Sequence, residues 1–101
     1  MAVFDAIFVA SDKKATKVAA LAGTTASAAN TIGQHNLIAV SADGAFHIKF
    51  GGGSVGAPDA GDFYVPAGVI STWDMGQNTA VRFYNPGGVA INIYIQQLSR
   101  S

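Results

Sequence analysis

The sequence has no cysteine, which excludes disulfides and thiolate metal sites. It has no glutamate either: all six acidic residues are aspartate. Glu favours helices, whereas Asp competes with the helical backbone and favours turns and caps. With twelve glycines, this imbalance points to strands joined by turns. Charge of either sign is scarce. Only 12% of the residues are charged, and six basic side chains balance six acidic ones. Soluble domains carry about twice that share, so part of the surface is expected to be covered by something other than water, most simply by other subunits. A net charge of zero argues against nucleic-acid binding, which needs a basic patch to displace counterions. The one local cluster, Lys13, Lys14 and Lys17, is partly balanced by Asp12. No apolar run approaches the ~20 residues that span a bilayer, so no membrane partner is expected. Residues 1–10 lack the basic n-region of a signal peptide. The expectation is a protein made and used in the cytoplasm, or inside a particle assembled there.

What is present fits a single domain over residues 1–101. Half of the residues are apolar, ample for the modest core of so short a chain. Val89, Ile91, Ile93 and Ile95 alternate with Ala90, Asn92, Tyr94 and Gln96. That period of two, rich in β-branched residues, predicts a half-buried strand. Val81 and Phe83 alternate in the same way with Ala80, Arg82 and Tyr84. Asn85-Pro86-Gly87-Gly88 between the two runs is a strong turn signal, and together they predict a β-hairpin. A second hairpin is predicted from residues 37–40 and the run Phe46, Ile48, Phe50, joined through Asp43-Gly44, a pair that favours a type I′ turn. Shorter strands are predicted over 63–65 and 69–73, broken at Pro66-Ala67-Gly68. Val81, Phe83, Phe46, Ile48, Ile91 and Ile93 are expected to share one core, with Trp73 in phase with Val69 and Met75.

The N-terminal third is less regular. Residues 3–9 predict a strand with apolar groups on both faces, either at a subunit interface or packed on its own domain as an ordinary first strand. Residues 13–21 admit either a short helix capped by Ser11 and Asp12 or a strand, and the β character of the rest favours the strand. Residues 23–36 read as a long loop or weak edge strand. Seven to eight short strands, with turns every eight to twelve residues, predict an all-β, antiparallel, jelly-roll-like β-sandwich. Residues 36–98 would form its body and residues 1–22 a candidate N-terminal arm or interface strand.

No motif carries catalysis. The glycine run at 51–56 lacks the Gly-Lys-Ser/Thr ending of a phosphate loop and reads as a hairpin connection. His35 and His47 read as ordinary surface histidines, because no spacing joins them to Asp43 or Asp62 as a metal-ligand set. There is no Gly-x-Ser-x-Gly elbow. The scattered aspartates look structural and not like a pair flanking a cleft. No enzyme activity, metal or cofactor is therefore expected. A contact surface is. Val3, Phe4, Ile7 and Phe8 concentrate apolar surface at the N-terminus. Arg82, Tyr84, Asn92 and Tyr94 would fall on one outward face of the C-terminal hairpin, and Tyr and Arg are enriched at interfaces. A second sheet covering that face is the competing reading, and both stay open.

Four segments carry a family resemblance: Ala45-Phe46-His47-Ile48-Lys49-Phe50-Gly51, Asp62-Phe63-Tyr64-Val65-Pro66-Ala67-Gly68, Ala80-Val81-Arg82-Phe83-Tyr84-Asn85 and Val89-Ala90-Ile91-Asn92-Ile93-Tyr94-Ile95. In their order, a strand ending in Phe-Gly, a loop, a Pro-Ala-Gly corner and two closing strands, they resemble small β-sandwich virion proteins of tailed bacteriophages. The resemblance covers roughly residues 36–98 and is one of strands and corners. It implies a capsid cement or decoration protein, a homo-oligomer and commonly a trimer, that binds and stabilises the shell of the major capsid protein in the virion. A tail or neck (head–tail) component is the alternative within the same resemblance. A carbohydrate-binding module using Trp73 and the tyrosines is the alternative outside it.

Overall fold

The period-two runs form strands, and the glycine- and proline-bearing segments between them turn the chain. In the computed structural model, which describes residues 7–9 and 16–100, the chain forms β1 (Ile7–Val9), β2 (Thr16–Leu21), β3 (Thr25–Ala26), β4 (Asn30–Thr31), β5 (Leu37–Ala42), β6 (Phe46–Gly51), β7 (Phe63–Val65), β8 (Ser71–Asp74), β9 (Ala80–Asn85) and β10 (Ile91–Arg100). No helix occurs among the described residues. Two antiparallel five-stranded sheets face each other. In the first the order is β1-β10-β5-β8, with β2 also on β10; in the second it is β3-β9-β6-β7, with β4 also on β9.

The pairing is nested. β6 pairs with β7, β5 with β8, β3 and β4 with β9, and β2 with β10. The chain is thus one long antiparallel ribbon, closed at the β6–β7 link and folded over so that its strands alternate between sheets. This is the jelly-roll arrangement, as the sequence pattern predicts. β3 and β4 share one edge position, and β1 lies beyond β2 along β10, so ten strands occupy the eight positions of the roll. Of the segment 13–21, residues 16–21 are strand and not helix, and residues 13–15 lie outside the described residues. The strand expected over 3–9 is described only from Ile7 to Val9.

The core lies between the sheets. Val81, Phe83, Phe46, Ile48, Ile91 and Ile93 share it as expected, joined by Ile38, Val40, Val65, Met75 and Ile95. Phe46 and Phe83 meet edge to face at 5.6 Å, the favoured geometry for aromatic quadrupoles. Trp73 stands half-buried at the core margin. Its partners in phase diverge: Met75 is buried, whereas Val69 is exposed.

Both predicted hairpins are corrected. β9 and β10 belong to opposite sheets, and so do β5 and β6. Asn85-Pro86-Gly87-Gly88 and Asp43-Gly44 are corners that carry the chain across the core. Gly44 does not take the positive φ that a type I′ turn demands. It is glycine because a β-carbon there would overlap Ile91 Cγ2. The strand predicted from residue 89 begins at Ile91, and the one predicted from residue 69 begins at Ser71. The true hairpin is β6–β7, whose link, residues 52–62, contains the glycine run.

Candidate functional site

Because the ribbon folds over, its crossovers collect at the two ends of the sandwich. Residues 22–24, 43–45, 66–70 and 86–90 gather at one end. Their proximity is fixed by hydrogen bonds from Thr24 N to Asn85 O (2.8 Å), from Asp43 N to Asn92 O (3.2 Å) and from Gly68 N to Ala42 O (3.1 Å). Backbone meets backbone there as well: a β-carbon on Gly23 would stand 2.8 Å from the carbonyl carbon of Gly88, so only glycine allows the approach. Residues 32–36, 52–62 and 75–79 gather at the other end, held by bonds such as His35 N to Gly76 O (2.8 Å) and Thr79 N to Gly51 O (2.9 Å).

The two ends differ in chemistry. The second is polar, with Gln34, Asn36, Asp59, Asp62, Gln77 and Asn78. The four crossovers of the first carry one charged side chain, Asp43. Its carboxylate accepts from Asn92 N (2.8 Å) and from Asn92 Nδ2 (3.1 Å). The rest of this end is apolar and open to solvent: Val89 is 77% exposed, Ile70 71%, and Val69 45%. A shallow groove of about 600 Å³ runs between the 43–45 and 86–90 crossovers, with Tyr64, Val89 and Ile91 among its lining. Its wall is rigid. Asn85, fully buried, donates from Nδ2 to Leu21 O (2.9 Å) and to Val89 O (2.8 Å) and accepts from Gly87 N (3.0 Å). Exposed apolar side chains gathered at one end of the body make this end the candidate docking surface.

The sequence-based interface residues do not form one surface. Arg82 and Tyr84 lie on the outer face of the second sheet and Asn92 and Tyr94 on the outer face of the first. The expected common face depended on the β9–β10 hairpin, and it disappears with it. Arg82 is held by hydrogen bonds from Nε to Ser27 O (2.8 Å) and from one terminal nitrogen to Val55 O (2.9 Å). Tyr94 is exposed, with Lys17 Nζ 5.8 Å above its ring. Val3 and Phe4 lie outside the described residues. Ile7 and Phe8 belong to β1, opposite Arg100 and Ser99.

His47 is not an ordinary surface histidine. It is 7% exposed, covered on the outer face of the second sheet by Tyr64 and Tyr84 at ring distances of 5.3 and 6.0 Å. Its Nδ1 donates to the Asp62 carbonyl at 2.9 Å, which a carbonyl permits only as acceptor. His35 is exposed in a crossover with φ of 62°. No group of three or more His, Cys, Asp or Glu side chains that could hold a metal ion occurs among the described residues.

Sequence reasoning missed the apolar end because it assigned Val89 and Val69 to inward-facing strand positions. The available signal was an apolar pair beside each Pro-Gly corner, Val69-Ile70 and Val89-Ala90, with no polar residue to mark an outward side.

No protein-family model matches the chain, and no curated protein matches it. Solved structures similar in fold include the following two. One is the solution structure of a de novo designed double-stranded β-helix, with TM-score 0.60 and 17% identity over 84% of this chain and 99% of that one. The other belongs to Bacillus endospore appendages, described as a novel family of disulfide-linked pili, with TM-score 0.52 and 16% identity over 87% of this chain and 85% of that one. At such identities the likeness is one of fold alone. The absence of cysteine closes to this chain any disulfide linkage of the kind named for those pili.

Proposed function

We propose that this protein is a structural subunit of a tailed-bacteriophage virion, a cement or decoration protein that seats on the shell of the major capsid protein as a homo-oligomer. The observation that carries this reading is the apolar end, where a cross-braced jelly roll presents Val69, Ile70 and Val89 to solvent beside a single, already hydrogen-bonded charge. Such a surface suits docking on another protein. The strand-and-corner resemblance supplies the phage context. The mechanism is thermodynamic. A protein that binds the assembled shell and not its free subunits stabilises the shell by mass action, and an oligomer that makes the same contact several times gains avidity.

The test is co-sedimentation with empty phage heads stripped of accessory proteins. Saturable binding at a fixed ratio to the major capsid protein, with a raised disassembly temperature of the shell, is the expected result. Protein that stays in the supernatant at every concentration overturns the capsid role. Binding confined to isolated tails or necks would move the protein to that part of the particle. A carbohydrate-binding reading is favoured by one observation, Tyr64, 52% exposed beside the groove. Glycan binding that is lost with Tyr64→Ala would establish it.

A further inference from the structure

The apolar end and β1 lie at opposite ends of the same body. Ile91 lines the groove, and β10 runs from it to Arg100. Those nine steps correspond to about 30 Å at ~3.3 Å per residue, in a molecule whose longest extent is 40 Å. β1 is antiparallel to β10 and pairs Val9 with Leu98 and Ile7 with Arg100. Followed backwards from Val9 to Ile7, the chain therefore moves away from the groove. Val3 and Phe4 precede Ile7 by four and three residues, so covalent geometry keeps them within about 14 Å of it. They cannot reach the groove of their own chain. They can reach the groove of another.

From this we infer that the apolar end of one copy receives Val3 and Phe4 of a second copy. The chemistry matches on both sides. The groove offers Val89, Ile91 and Tyr64 with the bare backbone of Gly87 and Gly88, and residues 1–4 bring apolar side chains without a charge. Donor and acceptor are different surfaces, so the contact either repeats head to tail, closing into a ring or continuing as a filament, or is exchanged reciprocally between two copies in a two-fold dimer. This deepens the structural reading above by naming how copies join, and it rests on that reading only in so far as the protein assembles at all.

The experiment is a complementation by mass, using light scattering on the purified full chain. Phe4→Glu removes the donor and leaves the groove. Val89→Glu blocks the groove and leaves the donor; Ala90→Glu serves as a second blocking variant. The wild type is expected at a multiple of the protomer mass. Each variant is expected as a monomer with an unchanged β-sheet dichroism spectrum. An equimolar mixture of the two is expected to form dimers and nothing larger, because it contains one intact donor and one intact groove. A monomeric wild type, a Phe4→Glu variant of full mass, or a mixture that stays monomeric each overturns the contact. An assembly lost with Val89→Glu and untouched by Phe4→Glu would show the apolar ends meeting each other instead. Co-sedimentation with shells reads separately, so failure of this contact and failure of the capsid role are distinguishable.

Discussion

Asn85 is joined to Leu21 by a hydrogen bond from its side-chain amide to the Leu21 carbonyl, 2.9 Å long and buried. The bond ties the end of β9, in the second sheet, to the end of β2, in the first. The same amide nitrogen holds Val89 O, and the amide oxygen holds Gly87 N, so one side chain braces the wall of the groove. Replacing it with alanine strands two carbonyls and one N–H. An unsatisfied buried polar group costs about 1–3 kcal/mol, and water can reach the Gly87–Val89 side. Asn85→Ala is expected to lower stability by roughly 2–4 kcal/mol on that principle, as a fall in the urea midpoint at unchanged slope. A loss below about 0.5 kcal/mol, the range of ordinary surface changes, would show that the brace is not needed.

The strands and the jelly-roll class were legible because both are written in period-two alternation, and Ile91, Ile93 and Ile95 turn inward where the pattern places them. The partners of those strands were not legible. A strand with one apolar face satisfies it equally by lying beside its neighbour in one sheet or by facing it across the core, and the alternation is identical in both cases. Asn85-Pro86-Gly87-Gly88 and Asp43-Gly44 announce that the chain turns. They do not say whether it turns within a sheet or between sheets. What decides at Gly44 is the proximity of Ile91, a residue far along the sequence. The candidate surface inherited this ambiguity. Tyr84 and Tyr94 share an outward phase within their own strands, yet the crossover puts them on opposite sides of the molecule. His47 likewise was correctly placed outward, and its burial comes from Tyr64 and Tyr84 on neighbouring strands, which no local pattern contains.

Adjacent residues on β10 test the face assignment. Ile93 is fully buried among the core side chains, so Ile93→Ala removes transfer free energy and leaves a cavity, at about 2–5 kcal/mol. Asn92 points outward. Its Oδ1 accepts from Ala20 N at 2.9 Å, where β2 bulges and Ala20 takes a φ of 50°, and its Nδ2 donates to Asp43. Both bonds are exposed. Asn92→Ala is expected to cost about 1 kcal/mol. Thermal unfolding of the two variants gives the comparison, and equal losses would contradict the face assignment.

The open side of the sandwich, between the edge strands β7 and β8, is closed by aromatic rings. Trp73, the single tryptophan, meets Phe63 edge to face at 5.0 Å and 88°, and Phe50 at 5.0 Å. Its indole N–H donates to Ser71 Oγ at 2.8 Å, and that hydroxyl lies 3.3 Å from Val40 O, to which it donates. Phe63 is 62% exposed and sits opposite Ile48, so it acts as a lid at the sheet margin and not as a core residue. Removing its ring gives up an aromatic pair worth about 0.5–1.5 kcal/mol and opens the indole to water. Phe63→Ala is therefore expected to shift the tryptophan emission to longer wavelength while lowering stability by no more than about 1.5 kcal/mol, the upper end of that range. Tyr64, the next residue, turns to the outer face against His47. Tyr64→Ala is expected to leave the emission where it is. A red shift of the same size from both variants would mean that the sheet edge itself has loosened, and that the lid geometry does not govern the exposure of Trp73.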